Sequence, residues 1–308
     1  MGRLPTLLAS SVIRGSRLGE SHGGVYQVDL ERGTAELRLD WNDTGIDISG
    51  RGGDRGLRGI AFHGENILVA ANAELLVLDQ DFHVVESFTN PYLQHCHEIS
   101  VAGGRVFLTA TGFDSVLMFD LGAKRFNDAW HLGLAGQSLS FRRYDPCSSA
   151  GPASGHRFHL NSVGASDSGF WFSGLHTPGL LRADARGLSL AAPLPPGTHN
   201  AQLFENGVLY NDTESDRVCH AHDGTTTQVA VPDFRPDEII NIERFASAVA
   251  RPRFARGLCA LQDGFVAAGS SPSTISVYDM RGGKRVLQQN LSMDVRNAIH
   301  GLAVWPYG

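Results

Sequence analysis

The sequence has neither a surplus of positive charge nor a long hydrophobic run. Its 308 residues include 26 Lys and Arg against 32 Asp and Glu, a net charge of −6. No basic run suggests a surface for nucleic acid or for anionic lipid. No stretch of about 18 apolar residues occurs, and the first residues lack the pattern of a signal peptide. We therefore predict a cytoplasmic protein that binds neither nucleic acid nor a membrane.

Cysteine is also scarce, and the common catalytic motifs are absent. The four cysteines are widely spaced and form no CxxC pair, which predicts free thiols. No GxSxG, HExxH or Walker pattern occurs. These absences argue against a serine hydrolase, a zinc protease of that type and a P-loop nucleotide-binding protein.

Glycine is abundant, with 36 residues, and it recurs with Asn and Asp between short apolar runs. One pattern returns at intervals of roughly 35 to 60 residues: a basic residue, an apolar strand, a turn, a second strand, a polar loop and a third strand. A four-stranded antiparallel unit repeated in this way is a propeller blade. The copies begin near Arg58, His97, His159, His199, Arg256 and His300.

The sixth copy, HGLAVWPYG from His300, lacks its outer strands. Residues 6–16, 23–30 and 35–41 read as the missing second, third and fourth strands. We therefore predict an all-β fold, a six-bladed β-propeller forming a single domain over residues 1–308. The N-terminal and C-terminal segments close one blade together, which leaves no unpaired edge there. A β-sandwich is the weaker alternative because it needs no such repeat.

The aligned basic residues mark the entry to each innermost strand, next to the predicted channel. Two long insertions, 133–157 and 233–255, are expected on the same face as functional loops. The second has apolar residues at helical spacing, Ile239, Ile242, Phe245 and Val249. Loops expected on that face add three candidate substrate-binding residues, His22, His176 and Asp212.

Four of the aligned residues suggest a metal site on the axis. The hypothesis is a divalent transition metal held by neutral imidazoles of His97, His159, His199 and His300. Imidazole suits Fe, Zn, Cu and Ni, and the sequence does not distinguish among them. Asn161 and Asn200 follow two of these histidines and are predicted either to orient them or to form a β-bulge or turn.

The alternative is a channel lined by imidazole and guanidinium groups without a metal. Arg58 and Arg256 favour it, because a guanidinium binds carboxylate, sulfate or phosphate through two parallel hydrogen bonds. Both interpretations are compatible with one ligand, if its anionic end lies on the arginines.

The inner-strand motifs HEISVAGGRVFL, HLNSVG, THNAQLFENGVLYNDT and RGLCALQDGFVAAGSS resemble blades of uncharacterised bacterial propeller proteins, the DUF4915 family. The resemblance implies a propeller with histidines at inner-strand entries. It implies no reaction.

These observations lead to one predicted function and one alternative. The predicted function is that of a metal-dependent enzyme, oxidative or lyase-type, which acts on a small anionic organic substrate at the channel mouth. The alternative is a propeller without catalytic activity that binds a glycan, a peptide or a small anion. A scaffold for proteins fits less well, because scaffolds use exposed rims. The expected partner is thus a small molecule, and no oligomeric state is predicted.

Overall fold

The computed structural model describes residues 4–43, 56–245 and 250–307. This part of the chain is almost entirely β-structure, arranged as the six blades of a β-propeller, so the predicted fold class is confirmed. No helix within it is long and apolar enough to cross a membrane.

The strands form six antiparallel sheets, each taken from consecutive strands except where the chain ends meet. The closing sheet combines β1 (Thr6–Ile13), β2 (Gly24–Asp29) and β3 (Thr34–Asp40) with the last strand, β25 (Asn297–Val304). The next sheet contains β4 (Ile60–His63), β5 (Asn66–Ala70), β6 (Glu74–Leu78) and β7 (Val84–Thr89). A five-stranded sheet follows, with β8 (Ile99–Ala102), β9 (Arg105–Ala110), β10 (Ser115–Asp120), β11 (Arg125–Ala135) and β12 (Ser138–Tyr144).

The other three sheets have four strands each. One contains β13 (Leu160–Ser166), β14 (Gly169–Gly174), β15 (Gly179–Asp184) and β16 (Gly187–Pro193). Another contains β17 (Thr198–Phe204), β18 (Gly207–Asp212), β19 (Arg217–His222) and β20 (Thr225–Ala230). The last contains β21 (Arg256–Ala260), β22 (Phe265–Ser270), β23 (Thr274–Asp279) and β24 (Lys284–Asn290).

The chain divides into two compact units, which are described separately below. The terminal unit comprises Met1–Ile60, Asp81–His83 and Leu203–Gly308, and the middle unit comprises Ala61–Gln80 and Val84–Gln202. In each unit the second and third strands of the blades are buried on both faces, as in β10 and β23. The outermost strands, such as β3 and β24, are mostly exposed. This gradient explains why the central strands read as continuous apolar runs.

The closing sheet pairs the two ends of the chain, as expected from the sequence. β1 runs antiparallel to β25 from Leu7 opposite Val304 to Ile13 opposite Asn297. β25 therefore begins at Asn297, three residues before the predicted start at His300. The reason is the length of β1, in which Ser11, Val12 and Ile13 pair with residues 297–299. The other inner strands begin within two residues of their predicted positions.

The two insertions contain regular structure. The 133–157 segment was expected as a loop, but its first part continues β11 and adds β12 as a fifth strand. The 233–255 segment has a 3₁₀ turn (Pro236–Glu238) and a short helix, α1 (Ile242–Phe245). Ile239 is buried with Ala250 and Val295. Of the helical pattern predicted there, Val249 and the side chain of Phe245 lie outside the described residues.

Removing β25 should expose the inner edge of β1 and uncover its buried residues, such as Leu7 and Ala9. We expect a chain ending at Arg296 to aggregate or to unfold at a clearly lower temperature than the full chain. A chain ending at Trp305 retains β25 and serves as the control. Thermal unfolding and light scattering measure the difference, and equal melting of both shortened chains would contradict the role of this pairing.

Candidate functional site

Three of the predicted metal ligands lie together in the middle unit. The ring centroids of His97 and His159 are 5.2 Å apart, and those of His159 and His199 are 6.4 Å apart. His156, which the sequence analysis did not single out, lies 6.4 Å from His159. The entries to β8, β13 and β17 thus bring their histidines into one group, which we call the histidine group (His97, His159 and His199).

Backbone carbonyls orient two rings of the histidine group. His97 Nδ1 lies 2.7 Å from the carbonyl oxygen of His95, and His199 Nδ1 lies 3.3 Å from that of Gly197. A carbonyl only accepts hydrogen bonds, so in the neutral rings Nδ1 carries the proton and Nε2 carries the lone pair. Histidines that bind metals are commonly held in this way.

The spacing of the histidine group is wider than a coordination sphere. Within the described residues, its three rings do not form a set whose nitrogens all lie within 4.8 Å of one another. Bonds of about 2.1 Å place the ligand atoms of one ion at most about 4.2 Å apart. The side chains as placed therefore do not fit a bound metal, and the metal stays a prediction.

The two asparagines predicted to orient histidines have other polar partners. Asn161 is buried, and its Nδ2 donates to the carbonyl oxygen of Thr198 at 2.9 Å. Asn200 Nδ2 donates to Glu98 Oε2 at 3.0 Å. Asn200 and His159 both adopt a φ of 52°, in the left-handed region that residues other than glycine rarely occupy. Such conformations concentrate at functional sites, where surrounding contacts hold them.

Glu98 follows His97 in the chain and was not among the predicted site residues. Its carboxyl group is held between Asn200 Nδ2 and the backbone N–H of Ile99. Burial raises the pKa of Glu98 to about 7 despite these two hydrogen bonds. Glu98 therefore changes charge near neutral pH.

The terminal unit contains a second group of candidate residues. The guanidinium carbons of Arg14, Arg251 and Arg256 lie 5.3, 4.7 and 4.5 Å from the ring centroid of Phe254. Arg58 is buried and interacts electrostatically with Arg256. We call Arg14, Arg58, Arg251 and Arg256 the arginine group. Arg58 and Arg256 had been predicted to act together, whereas Arg14, Arg251 and Phe254 had not been singled out.

Positive charge accumulates around Arg256. Burial, followed by the charges of Arg14, Arg58 and Arg251, holds the pKa of Arg256 well below its ordinary value. In the described part of the chain, its buried Nε has no hydrogen-bond partner. Arg251 is different, since Asp216 lies 2.7 Å from its Nη1. The arrangement is suited to binding an anion beside Arg256.

The other candidate residues have varied surroundings. His22 is fully buried, and its Nδ1 lies 2.7 Å from Ser16 Oγ. His300 is buried within β25. Asp212 accepts hydrogen bonds from two backbone N–H groups of the turn after β18, which gives it a local structural role. The side chain of His176 is exposed in the β14–β15 turn.

Comparisons with known proteins extend the assignment of the fold only. No family profile and no curated protein matches the chain, so the resemblance to the DUF4915 family stays a prediction. The chain is similar to a structure of a nidogen–laminin complex (10% identity, 98% of each chain covered, TM-score 0.61). It is also similar to a protein of unknown function from Bacteroides caccae (10% identity, 97% of this chain and 98% of that chain, TM-score 0.57). At these identities the likeness shows the fold alone.

The pKa of Glu98 gives a stability prediction. Between pH 4.5 and about 7 the folded protein binds a proton that the unfolded chain releases, so this group makes stability fall as the pH rises. Glu98→Gln removes the titration. We expect the variant to gain about 3 kcal/mol of unfolding free energy relative to the natural protein between pH 4 and pH 8.

Urea unfolding at a series of pH values measures this difference. Glu214→Gln, at an exposed position, is the control and should give a curve parallel to that of the natural protein. A parallel curve for Glu98→Gln as well would show that Glu98 ionises with its ordinary pKa.

Proposed function

We propose that the protein binds a small anionic molecule through the arginine group. The observation that supports this most directly is Arg256, whose buried Nε lacks a hydrogen-bond partner within the described residues. Three further guanidinium groups act on it and disfavour its charged form. A carboxylate, sulfate or phosphate would accept the missing hydrogen bond and offset the repulsion among the four cations.

Phe254 suits the arginine group to this role. Three guanidinium groups lie over or beside its ring, where the negative face of the aromatic system attracts cations. The ring thereby helps to hold them while no anion is bound. Asp216 accepts from Arg251 and lies 3.2 Å from Nε of Arg253. This carboxylate neutralises the charge on one side of the group and leaves Arg256 for the ligand.

A metal-dependent enzyme, oxidative or lyase-type, is our second proposal. It is supported by the orientation of the His97 and His199 rings, whose Nδ1 atoms face carbonyl oxygens. The spacing of the histidine group does not favour it. That His300 is a ligand in such a site stays a prediction. So does the metal itself, which would be Fe, Zn, Cu or Ni.

We also propose a cytoplasmic location. The sequence predicts thiols and no disulfides, because its four cysteines are widely spaced and form no CxxC pair. Unpaired cysteines are typical of a reducing compartment.

Substitution of Arg256 should affect the stability of the ligand-free protein and the binding of an anion in different ways. Without a polyvalent anion, Arg256→Gln should melt at a temperature equal to or higher than that of the natural protein, because it removes a buried like charge. Addition of sulfate, inorganic phosphate or succinate should raise the melting temperature of the natural protein by about 2 °C or more, and that of the variant by much less. Differential scanning fluorimetry at constant ionic strength measures both effects.

Sulfate stabilises most proteins without binding a specific site, so a matched variant is needed. Arg32→Gln, in the same unit with a side chain 78% exposed, should retain the full shift. The proposal fails if Arg256→Gln and Arg32→Gln respond equally to all three anions.

Metal analysis tests the second proposal. Protein purified without a histidine tag should contain one Fe, Zn, Cu or Ni ion per chain, and His159→Ala should lose it because one imidazole ligand is removed. His63→Ala, at an exposed position at the end of β4, should retain it. Inductively coupled plasma mass spectrometry measures the content. Absence of stoichiometric metal, both as purified and after loading with each ion, would exclude the metalloenzyme.

A further inference from the structure

The middle unit contains a groove of about 480 Å³ that belongs to neither group described above. It runs between the five-stranded sheet β8–β12 and the sheet β13–β16, beside the β8–β9, β13–β14 and β15–β16 turns. This volume is in the range of sites for small molecules.

Aromatic residues form one wall of the groove. Trp130 and Phe141, from the paired strands β11 and β12, stack with centroids 5.0 Å apart and planes at 17°. Phe141 stacks in turn on Phe172, at 5.2 Å and 18°. The wall is backed by buried Phe107 and Phe170, so it is held in place by packing while Trp130 and Phe141 remain partly exposed.

Carboxylates supply most of the charge around the groove. Asp128, Asp167 and Asp184 line it, and Arg105 is the one basic residue among the lining residues. The side chains of Asp128 and Asp184 are only 14% and 10% exposed. Arg143 and Arg186, which pair with these carboxylates, extend outward with side chains 66% and 86% exposed, and Arg182, the other partner of Asp184, is 42% exposed. Among the lining residues themselves, three carboxylates therefore stand against the single guanidinium of Arg105.

An apolar extension adjoins this groove. A second groove of about 330 Å³ shares Trp130 and Phe141 with the first and is otherwise lined mainly by aliphatic residues. Leu190 on its edge is 50% exposed. One molecule can therefore contact the acidic groove and the apolar groove across the same pair of rings.

We propose that these adjoining grooves bind a small organic cation with an apolar body. Its ammonium group lies against the face of Trp130 that Phe141 does not cover, near the carboxylates of Asp128 and Asp167. Its apolar part extends over the aliphatic groove. Aromatic faces next to carboxylates are the surroundings that quaternary and aromatic amines prefer in proteins, whereas an anion would be repelled here. This site is independent of the arginine group and of the anion proposed for it.

Benzyltrimethylammonium is the test probe, with benzyl alcohol as its neutral counterpart. Isothermal titration calorimetry on the full chain should show binding of the cation at least about tenfold tighter than of the alcohol. Asp167→Asn, at an exposed position on the rim, should weaken binding of the cation about three- to fivefold. Asp223→Asn, at an exposed turn of the other unit, should leave it unchanged.

Trp130→Leu removes the aromatic ring face and should weaken binding of benzyltrimethylammonium about tenfold. If this variant fails to fold, Asp167→Asn and the neutral probe still decide the question. Equal affinity for the cation and the alcohol, or for Asp167→Asn and the natural protein, would overturn the proposal. Binding of a lysine-containing peptide without any binding of benzyltrimethylammonium would overturn it too, because the site would then serve a macromolecule.

Discussion

The pairing of β1 with β25 is the interaction on which the terminal unit depends. It joins Ser10 to Gly301 across 291 residues, where the serine Oγ accepts from the glycine N–H at 2.9 Å. The same hydroxyl donates to the carbonyl oxygen of Arg58. Gly301 is required at this place, because a Cβ there would lie 2.2 Å from that carbonyl oxygen. The Ser10 hydroxyl therefore links the pairing of β1 with β25, which we call the seam of the closing blade, to Arg58 of the arginine group.

Arg256 is held against the same seam. Gly257, the next residue, has a φ of 72°, and a Cβ on it would approach the carbonyl oxygen of His300 to 3.2 Å. Close backbone approach on both sides of β25 thus fixes where the side chains of Arg58 and Arg256 begin. These fixed backbone segments keep the two guanidinium groups near each other, because neither segment can move away to relieve the repulsion between them. This preorganisation supports the anion binding proposed for the arginine group.

The fold could be predicted because the strand pattern and the basic residue at the start of each inner strand recur six times in the sequence. Several residues of the candidate site could not be predicted, because they belong to no recurring pattern. Strand alternation and the recurring basic residue located all six blades, and they placed Arg58 and Arg256 in one group. Arg14, Arg251 and Phe254 lie in connecting segments without periodicity, where the sequence alone gives no measure of distance. The start of β25 was misplaced because strand length depends on the partner strand.

The seam of the closing blade also sets an order of events in the cell. The ribosome synthesises β25 about 290 residues after its partner β1. At about 5 to 20 residues per second, β1 waits roughly 15 to 60 s with its inner edge unpaired. During that interval Arg58 is not yet anchored by the completed seam. The arginine group therefore takes its final form only after β25 has been synthesised, and until then the nascent chain has an aggregation-prone edge at β1.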